Sequence, residues 1–257
     1  MKASSVRRIA PAASSSALTA LVVDERDCDM QGVAMPRPEV NLVVRFGPSA
    51  RRGLDVHALG GRQRVLRKTL RSGQRTVMAR LHLGATEAVL GVPASAIAGR
   101  VVTLEDLWGD LRARSLFDRL AAARDTFEAA RVLESAIAER FATAAAECAR
   151  TRFVLDAADR LTSANVNAVA VDLGVSERHL RRIFHETIGV GPKTFAKLTR
   201  FGRAVRAARE DSKASWATIA TSAGYYDQAH LITEFRAIAG VTPRALLGEL
   251  RAAQPIG

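Results

Sequence analysis

Three arginines, Arg178, Arg181 and Arg182, stand three and four positions apart in the C-terminal half of the 257-residue chain. On a helix, this spacing places all three side chains on one surface. Each guanidinium can donate two parallel hydrogen bonds, which suits guanine O6 and N7 or a phosphate better than a lysine ammonium does. On an isolated helix, such a stripe is usually a solvated basic face. Its function therefore depends on the element that carries it.

The arginine stripe lies inside the first copy of a pattern that the chain uses twice. The copies are 51 residues apart, with matching residues at His179, Leu180, Phe184, Gly189 and Pro192 and at His230, Leu231, Phe235, Gly240 and Pro243. Upstream, Gly174 and Gly224 are 50 residues apart, so the second copy has one extra residue after its glycine. Repetition at a fixed period indicates one supersecondary unit used twice, and the insertion predicts a turn.

Each copy is predicted to be a short helix, a glycine turn and a second helix with a polar N-cap. These features fall at residues 166–173, Gly174 and Ser176 in the first copy, and at residues 216–223, Gly224 and Asp227 in the second. A glycine allows the positive φ that a tight turn needs, and a serine or aspartate oxygen can accept from an unpaired amide of the next helix. The pattern therefore predicts two tight helix-turn-helix units.

The second helix of each unit has one apolar face. Leu180, Ile183 and Phe184 share a face in the first copy, as do Leu231 and Phe235 in the second. We expect these faces to point inward. A helix, tight turn and helix is the arrangement that places a second helix in the DNA major groove, which is wide enough to admit it.

Residues from about 150 to 257 resemble the DNA-binding region of AraC/XylS-type transcription regulators, which have two helix-turn-helix subdomains joined by a long helix. Segment 224–231, Gly-Tyr-Tyr-Asp-Gln-Ala-His-Leu, is similar to the family signature, and the similarity continues at Phe235, Gly240, Val241, Thr242 and Pro243. The joining helix is predicted from Pro192, a favoured first helical residue, to about Arg209.

The resemblance implies a set of DNA contacts. In the first unit Arg178, Arg181 and Arg182 align with positions that face the groove, just after Ser176. In the second unit, Gln228 could pair with adenine, Ala229 or Thr233 could touch a thymine methyl, and Asp227 and Glu234 lie nearby. No arginine is expected at this second surface, which predicts a smaller contribution to affinity. Further candidates are Lys193 and Lys197 for phosphate contacts, whereas His179 and His230 are expected to pack or cap rather than bind a metal.

Composition is consistent with an anionic partner but does not locate it. The chain carries a net charge of +12 and is 48% hydrophobic, enough for one large core or two modest ones. The basic excess is split evenly, with 14 Lys and Arg against 8 Asp and Glu from Arg160 onward and 24 against 18 before it. Net charge alone does not indicate specific nucleic-acid binding, so the placement of the arginines matters more.

The N-terminal half is predicted to mix strands and helices. Residues 1–17 are rich in Ala and Ser and are expected to be a disordered start, not an export signal. Short β-branched runs at Asn41 to Phe46, Leu54 to Ala58 and Thr76 to Leu83 predict strands, and the spacing from Leu116 to about Glu147 predicts helix. Segments 91–94 and 104–109 resemble the N-terminal sensor domains of AraC-type proteins, although less specifically than the C-terminal match.

The N-terminal half does not identify an effector. Trp108 beside Glu105 and Asp106 could line a pocket for an amine or hydroxylated ligand, but packing between strands and helices is the favoured interpretation. His57 and His82 have no second pair at metal-ligand spacing, so no metal or other cofactor is expected.

An enzyme is the weaker alternative. AraC-like DNA-binding regions also occur fused to a DNA-repair alkyl transferase that uses a cysteine in a Pro-Cys-His-Arg setting. Neither Cys28, between Asp27 and Asp29, nor Cys148 has that setting. Two cysteines without an export signal fit a reducing cytoplasm, and no segment approaches the length of a membrane span. A test of methyl transfer from alkylated DNA would decide this alternative.

The sequence thus predicts an α+β chain: a disordered start (1–17), a mixed strand and helix domain that senses or dimerises (18–147), and an all-α domain with two helix-turn-helix motifs joined by a linker helix (148–257). The predicted function is sequence-specific regulation of transcription. The predicted partners are double-stranded promoter DNA, RNA polymerase and an unidentified small-molecule or protein effector at the N-terminal domain. The competing interpretation is a protein-interaction module whose helix-turn-helix units have degenerated.

Overall fold

The computed structural model describes residues 5–12, 17–144, 149–211 and 213–255. A sheet-rich N-terminal domain is followed by a helical C-terminal domain, as the sequence predicts. The larger sheet is antiparallel, in the order β1-β2-β7-β4-β5-β8. Its strands are β1 (Ser5–Ile9), β2 (Leu18–Glu25), β4 (Asn41–Phe46), β5 (Leu54–Leu59), β7 (Arg75–Leu81) and β8 (Val101–Thr103).

A smaller sheet has the order β6-β3-β9. Strands β3 (Met30–Ala34) and β6 (Leu66–Leu70) are antiparallel, while β9 (Gln254–Pro255) runs parallel to β3. The last strand follows the C-terminal helices, so the small sheet combines strands from the N-terminal domain with a segment that follows α12. Sequence patterns did not predict this pairing.

One face of the larger sheet packs against helices. Because side chains alternate across a strand, Val77, Ala79 and Leu81 of β7 all enter the same buried core, together with Leu133 and Ile137. The helices of this domain are α1 (Thr86–Leu90), α2 (Ala94–Ile97), α3 (Leu104–Trp108), α4 (Asp110–Ala121) and α5 (Thr126–Thr143). Residues on the opposite face of the larger sheet face β6 of the small sheet across a cavity.

The C-terminal domain contains two hydrophobic cores connected by one long helix. Its helices are α6 (Ala149–Arg160), α7 (Val166–Asp172), α8 (Glu177–Ile188), α9 (Pro192–Glu210), α10 (Trp216–Ala223), α11 (Gln228–Ala239) and α12 (Pro243–Ala252). Phe195 of α9 belongs to the first core, whereas Leu198 and Phe201 of the same helix belong to the second. The predicted joining helix is confirmed, and it serves both units.

The expected disordered start is corrected for residues 5–12. Strand β1 pairs over its whole length with β2, from Ser5 opposite Glu25 to Ile9 opposite Leu21. Ile9 packs against the core, and the Arg7 guanidinium lies 5.5 Å from the centre of the Phe127 ring. These backbone pairs and apolar contacts offset the entropy of ordering an Ala- and Ser-rich segment. Residues 1–4 and 13–16 of the predicted start lie outside the described residues.

The predicted helical stretch from Leu116 to about Glu147 is two helices as far as Thr143, and residues 145–147 lie outside the described residues. Helix α4 ends at Ala121, and α5 begins after Asp125, whose carboxylate accepts from the Glu128 amide at 2.8 Å. The strand predicted at Asn41 to Phe46 is confirmed, and those at Leu54 and Thr76 are confirmed with ends shifted by one or two residues. Within the part of the chain that the structure describes, no helix is long and apolar enough to cross a membrane.

Candidate nucleic-acid interface

Both helix-turn-helix turns close in the same way. Gly174 has φ +66° and Gly224 has φ +89°. After each glycine, the next amide donates back to the preceding helix, from Val175 to the Ala170 oxygen at 3.0 Å and from Tyr225 to the Ala220 oxygen at 2.9 Å. Equivalent residues of the two turns are therefore 50 positions apart as far as Tyr225. The extra residue that the sequence predicts in the second turn is Tyr226, which is 92% exposed.

The second helix of each unit begins at the predicted N-cap. The Ser176 hydroxyl accepts from the His179 amide at 3.2 Å, and the Asp227 carboxylate accepts from the His230 amide at 2.7 Å. Each cap satisfies one of the amides that a helix start leaves unpaired. The capping predictions are confirmed. The DNA contacts expected of Ser176 and Asp227 stay a prediction.

The inward face of each second helix is fixed by aromatic packing. Leu180, Phe184, Leu231 and Phe235 are completely buried. Phe184 meets Phe195 edge to face with ring centres 5.3 Å apart, and Phe201 of the joining helix lies 4.5 Å from Phe235. Because these rings fix the rotation of α8 and α11, the opposite faces of both helices point to solvent.

The first exposed face carries the three arginines. Arg178, Arg181 and Arg182 are all exposed on α8. Arg181 forms an ion pair with Glu177 one turn before it, and Arg182 lies 3.3 Å from Glu186 one turn after it. Among the described residues, Arg178 has no ion pair. Exposed pairs of this kind contribute little free energy, so both paired arginines can be released to an anionic ligand at low cost.

The second exposed face is mostly uncharged. Gln228, Ala229 and Thr233 are exposed on α11, and the Thr233 hydroxyl donates to the Ala229 oxygen at 2.9 Å. Its hydroxyl group is thus engaged with the helix backbone. Ile232, between Ala229 and Thr233, is half-buried and packs against the second core.

Arg236 is the residue that sequence reasoning missed. It is exposed, three positions after Thr233 and seven after Ala229, so it continues their helical surface by one turn. The expectation that this surface has no arginine is therefore wrong. The three-residue spacing from Thr233 was the signal that could have identified it. In the first copy, the equivalent position is occupied by His185, which is also exposed.

Glu234 does not belong to the exposed face. Its carboxylate accepts from Arg200 of α9 at 2.9 Å, and the Arg200 guanidinium lies 5.5 Å from the Tyr225 ring centre. His230 meets the same ring edge to face, with its Nε2 3.6 Å from Glu234 Oε1. Burial is the main cause that raises the pKa of Tyr225, and the Glu234 charge adds to it. This cluster links α11 to the joining helix α9.

The two lysines predicted to contact phosphate lie near the start of α9. Lys193 is exposed and Lys197 is half-buried. Both follow directly from the first unit along the chain, because α8 ends at Ile188 and α9 begins at Pro192. Their position permits contact with a DNA phosphate backbone that passes the first unit.

Trp108, the candidate ligand residue, lies in the N-terminal core. Its indole nitrogen donates to the Val89 oxygen at 3.0 Å, and Arg140 stacks 5.3 Å from its ring centre. Arg140 donates to the same Val89 oxygen at 3.1 Å. The indole is thus engaged in packing between helices, with its edge beside a cavity of about 300 Å³.

Other candidate side chains are dispersed. His57 lies 3.2 Å from Asp55, and no group of three or more His, Cys, Asp or Glu side chains that could hold a metal occurs among the residues that the structure describes. Cys28 is exposed, whereas Cys148 lies outside the described residues.

Comparison with known proteins identifies similar sequences only in the helix-turn-helix region. Residues 169–249 match a family model described as a helix-turn-helix domain. Similar solved structures include ToxT from Vibrio cholerae. Its unsaturated fatty acid-bound wild-type form is 10% identical, with a TM-score of 0.43 over 99% of this chain and 100% of that one. Another ToxT structure is 10% identical, with a TM-score of 0.42 over 90% of this chain and 96% of that one. No curated protein sequence matches the chain.

Proposed function

We propose that this protein is an AraC-type DNA-binding transcription regulator that recognises a specific promoter sequence, because residues 169–249 match a helix-turn-helix family model. Helices α8 and α11 enter adjacent major-groove segments. The observation that carries the proposal is the repeated design of the two units. In each unit, a capped helix buries its apolar face and presents the opposite face to solvent.

The first unit supplies most of the affinity. Arg178, Arg181 and Arg182 lie on a surface that a major groove can accommodate, and arginine is the side chain best matched to guanine or to a phosphate. Ser176 can donate its hydroxyl hydrogen to a phosphate while its oxygen continues to cap the helix. Lys193 and Lys197 contact the backbone beside this unit.

The second unit supplies sequence discrimination with fewer charges. Gln228 pairs with adenine, Ala229 and the Thr233 methyl contact thymine methyls, and Asp227 accepts from a cytosine amino group. Tyr226 and Arg236, both exposed, contact phosphates at the two ends of this surface. Phosphate contacts fix the register of the helix, while the base contacts provide the selectivity.

The N-terminal domain receives the effector, a small molecule or a protein, and RNA polymerase is the partner that the promoter-bound chain contacts. We place the protein in the cytoplasm with its DNA. No catalytic step is part of this function.

The joining helix determines the geometry of the DNA site. Helix α9 has 19 residues, a length of roughly 28 Å. The two recognition helices should therefore meet one face of the duplex, about one helical turn or roughly 34 Å apart. One protomer should protect an asymmetric site with two contacted blocks about ten base pairs apart.

Selection from random duplexes tests this function directly. The full chain should enrich one sequence, and hydroxyl-radical and methylation footprints of a single bound protomer should show the two blocks. Enrichment of no sequence would refute promoter recognition. A single block, or two blocks related by two-fold symmetry, would show that α11 does not enter the groove as proposed.

A further inference from the structure

The cavity beside Trp108 lies in the groove between α4 and α5 and has a volume of about 300 Å³. Leu116 and Ala136 line it and also belong to the core of the N-terminal domain, so the groove is on the helical side of the larger sheet. Its volume is at the lower limit of small-molecule sites. Each helix faces the groove with residues three and four positions apart, namely Arg112, Ser115, Leu116 and Arg119 of α4 and Ala136, Glu139, Arg140 and Thr143 of α5.

One end of the groove is electrostatically balanced. Arg119 donates to both oxygens of the Glu139 carboxylate at 3.4 Å. The Ser135 hydroxyl donates to the same carboxylate at 2.8 Å. The cation and the anion at this end of the groove therefore neutralise each other.

The other end of the groove holds two cations. Arg112 lies two helical turns before Arg119 on α4, and Arg140 follows Glu139 on α5. In the part of the chain that the structure describes, neither Arg112 nor Arg140 has a carboxylate partner. Loss of hydration is the main cause that lowers the pKa of Arg140, and repulsion from Arg112 lowers it further. This end of the groove therefore lacks the negative charge that would balance it.

Arg140 is held in position before any ligand binds. Its Nε donates to the Val89 oxygen at 3.1 Å, and its guanidinium stacks 5.3 Å from the centre of the Trp108 ring. Trp108 is fixed in turn, because its indole nitrogen donates to the same oxygen at 3.0 Å. The terminal nitrogens of Arg140 have no hydrogen-bond acceptor among the described residues. A fixed guanidinium with two free nitrogens loses little conformational freedom when it binds an anion.

The groove offers a ligand more charge than apolar surface. Trp108, Leu116 and Ala136 are all buried, so an apolar ligand would gain little from hydrophobic contact. The exposed hydroxyl of Ser115 adds a hydrogen-bond donor beside the cations. Two guanidinium groups and a hydroxyl suit a small anion with two charges.

We propose that this groove binds the phosphate dianion of a small phosphomonoester between Arg112 and Arg140. Guanidinium groups donate parallel pairs of hydrogen bonds to phosphate oxygens, and two of them match its double charge. The ester is inferred from the volume, because a free phosphate ion would fill only part of the cavity. Residues of α3, α4 and α5 alone form the site, so the proposal goes beyond promoter recognition and does not depend on it.

Binding is measured on the indole N–H signals in the NMR spectrum of the isotope-labelled full chain. The chain has two tryptophans, Trp108 and Trp216, and Trp216→Phe assigns their signals. Glycerol 3-phosphate should shift the Trp108 signal until the site is saturated. The Trp216 signal should stay in place, because Trp216 packs against the second C-terminal core.

The ligand class is tested with two further phosphates. Dimethyl phosphate, which carries one charge, should bind at least about tenfold more weakly than glycerol 3-phosphate. Inorganic phosphate should also bind more weakly than glycerol 3-phosphate, because it lacks the organic part that fills the cavity. These titrations distinguish a phosphomonoester from the free ion and from a phosphodiester such as the DNA backbone.

The role of the unbalanced cations is tested with matched variants. Arg112→Gln should weaken binding of glycerol 3-phosphate by about tenfold or more, because one of the two guanidinium groups is lost. Arg114→Gln removes the same charge from the same helix, but Arg114 is exposed and does not line the cavity. In this control the affinity should change less than about twofold. Arg112→Lys, which keeps the charge without the planar fork, should retain part of the affinity.

Thermal unfolding provides a second measurement and checks that the variants fold. Glycerol 3-phosphate should raise the melting temperature of the unmodified chain and of Arg114→Gln, because a ligand stabilises the state to which it binds. The same concentration should raise the melting temperature of Arg112→Gln less.

Each part of the proposal has a result that would overturn it. Absence of a saturable Trp108 shift with glycerol 3-phosphate would refute the site, and equal losses in Arg112→Gln and Arg114→Gln would show that affinity follows net charge alone. Equal binding of dimethyl phosphate would refute the dianion, and tighter binding of inorganic phosphate would refute the ester. None of these measurements uses DNA, so failure of this site is distinguishable from failure of the proposed function.

Discussion

The two recognition helices have matching interiors and contrasting surfaces. With a separation of 51 residues, the exposed positions Arg178, Arg181 and Arg182 of α8 correspond to Ala229, Ile232 and Thr233 of α11. The buried pairs Leu180 with Leu231 and Phe184 with Phe235 are identical. Packing constrains the inner residues of a helix-turn-helix unit, whereas its outer residues are free to specialise. One unit has accumulated cations and the other has few.

The largest expected effect tests whether the interiors are equivalent. Phe184→Ala and Phe235→Ala each remove a completely buried ring and should each reduce the free energy of unfolding by about 3–5 kcal/mol. Urea unfolding of each variant, followed by circular dichroism, measures this. A loss below about 1 kcal/mol in one unit only would mean that the cores differ in how well they can collapse.

The next effect tests the contrast between the surfaces. Arg182→Ala should reduce binding to the selected DNA by about 1–3 kcal/mol if the guanidinium contacts a base in bidentate fashion, whereas Gln228→Ala should cost less and relax preference at one position. Mobility shifts at one fixed salt concentration provide the comparison. Equal losses with no change in base preference would contradict the division of roles.

The caps should again be equivalent in the two units. Ser176→Ala and Asp227→Ala each leave a helix-start amide without its side-chain acceptor and should reduce stability by about 1 kcal/mol. Thermal unfolding monitored by circular dichroism checks this. Ser163→Ala, an exposed serine outside the caps, is the control and should be close to neutral.

The smallest effect adds charge to the weaker surface. Ala229→Arg places a cation at the position that corresponds to Arg178 and should raise DNA affinity by up to about 1 kcal/mol. The slope of the logarithm of the binding constant against the logarithm of the salt concentration should become steeper, by the amount expected for about one phosphate contact. A salt titration of binding measures this slope. No change in slope would indicate that this position does not approach the DNA backbone.

The C-terminal domain was more predictable than the N-terminal one because its signals are local. A turn glycine, a capping side chain and an apolar spacing of three and four residues all act within one or two helical turns. The joining helix from Pro192 and both caps were therefore predicted from the sequence. In the N-terminal domain, β4 was predicted with its bounds. The pairing of β1 with β2 was not predicted, because the stability of a weakly apolar strand depends on the strand that it packs against.

The sequence by itself determined the two helix-turn-helix units, their caps, the arginine stripe and the presence of a turn insertion. Tertiary structure alone decided which way several side chains face. Glu234 turns toward Arg200, Arg236 points to solvent, and Arg67 reaches the end of α11. It also decided that β9 joins the small sheet and that a cavity lies between the two sheets. The physical reason is range: helix turns are specified by neighbouring residues, whereas sheet order, cavities and contacts between domains depend on residues far apart in the chain.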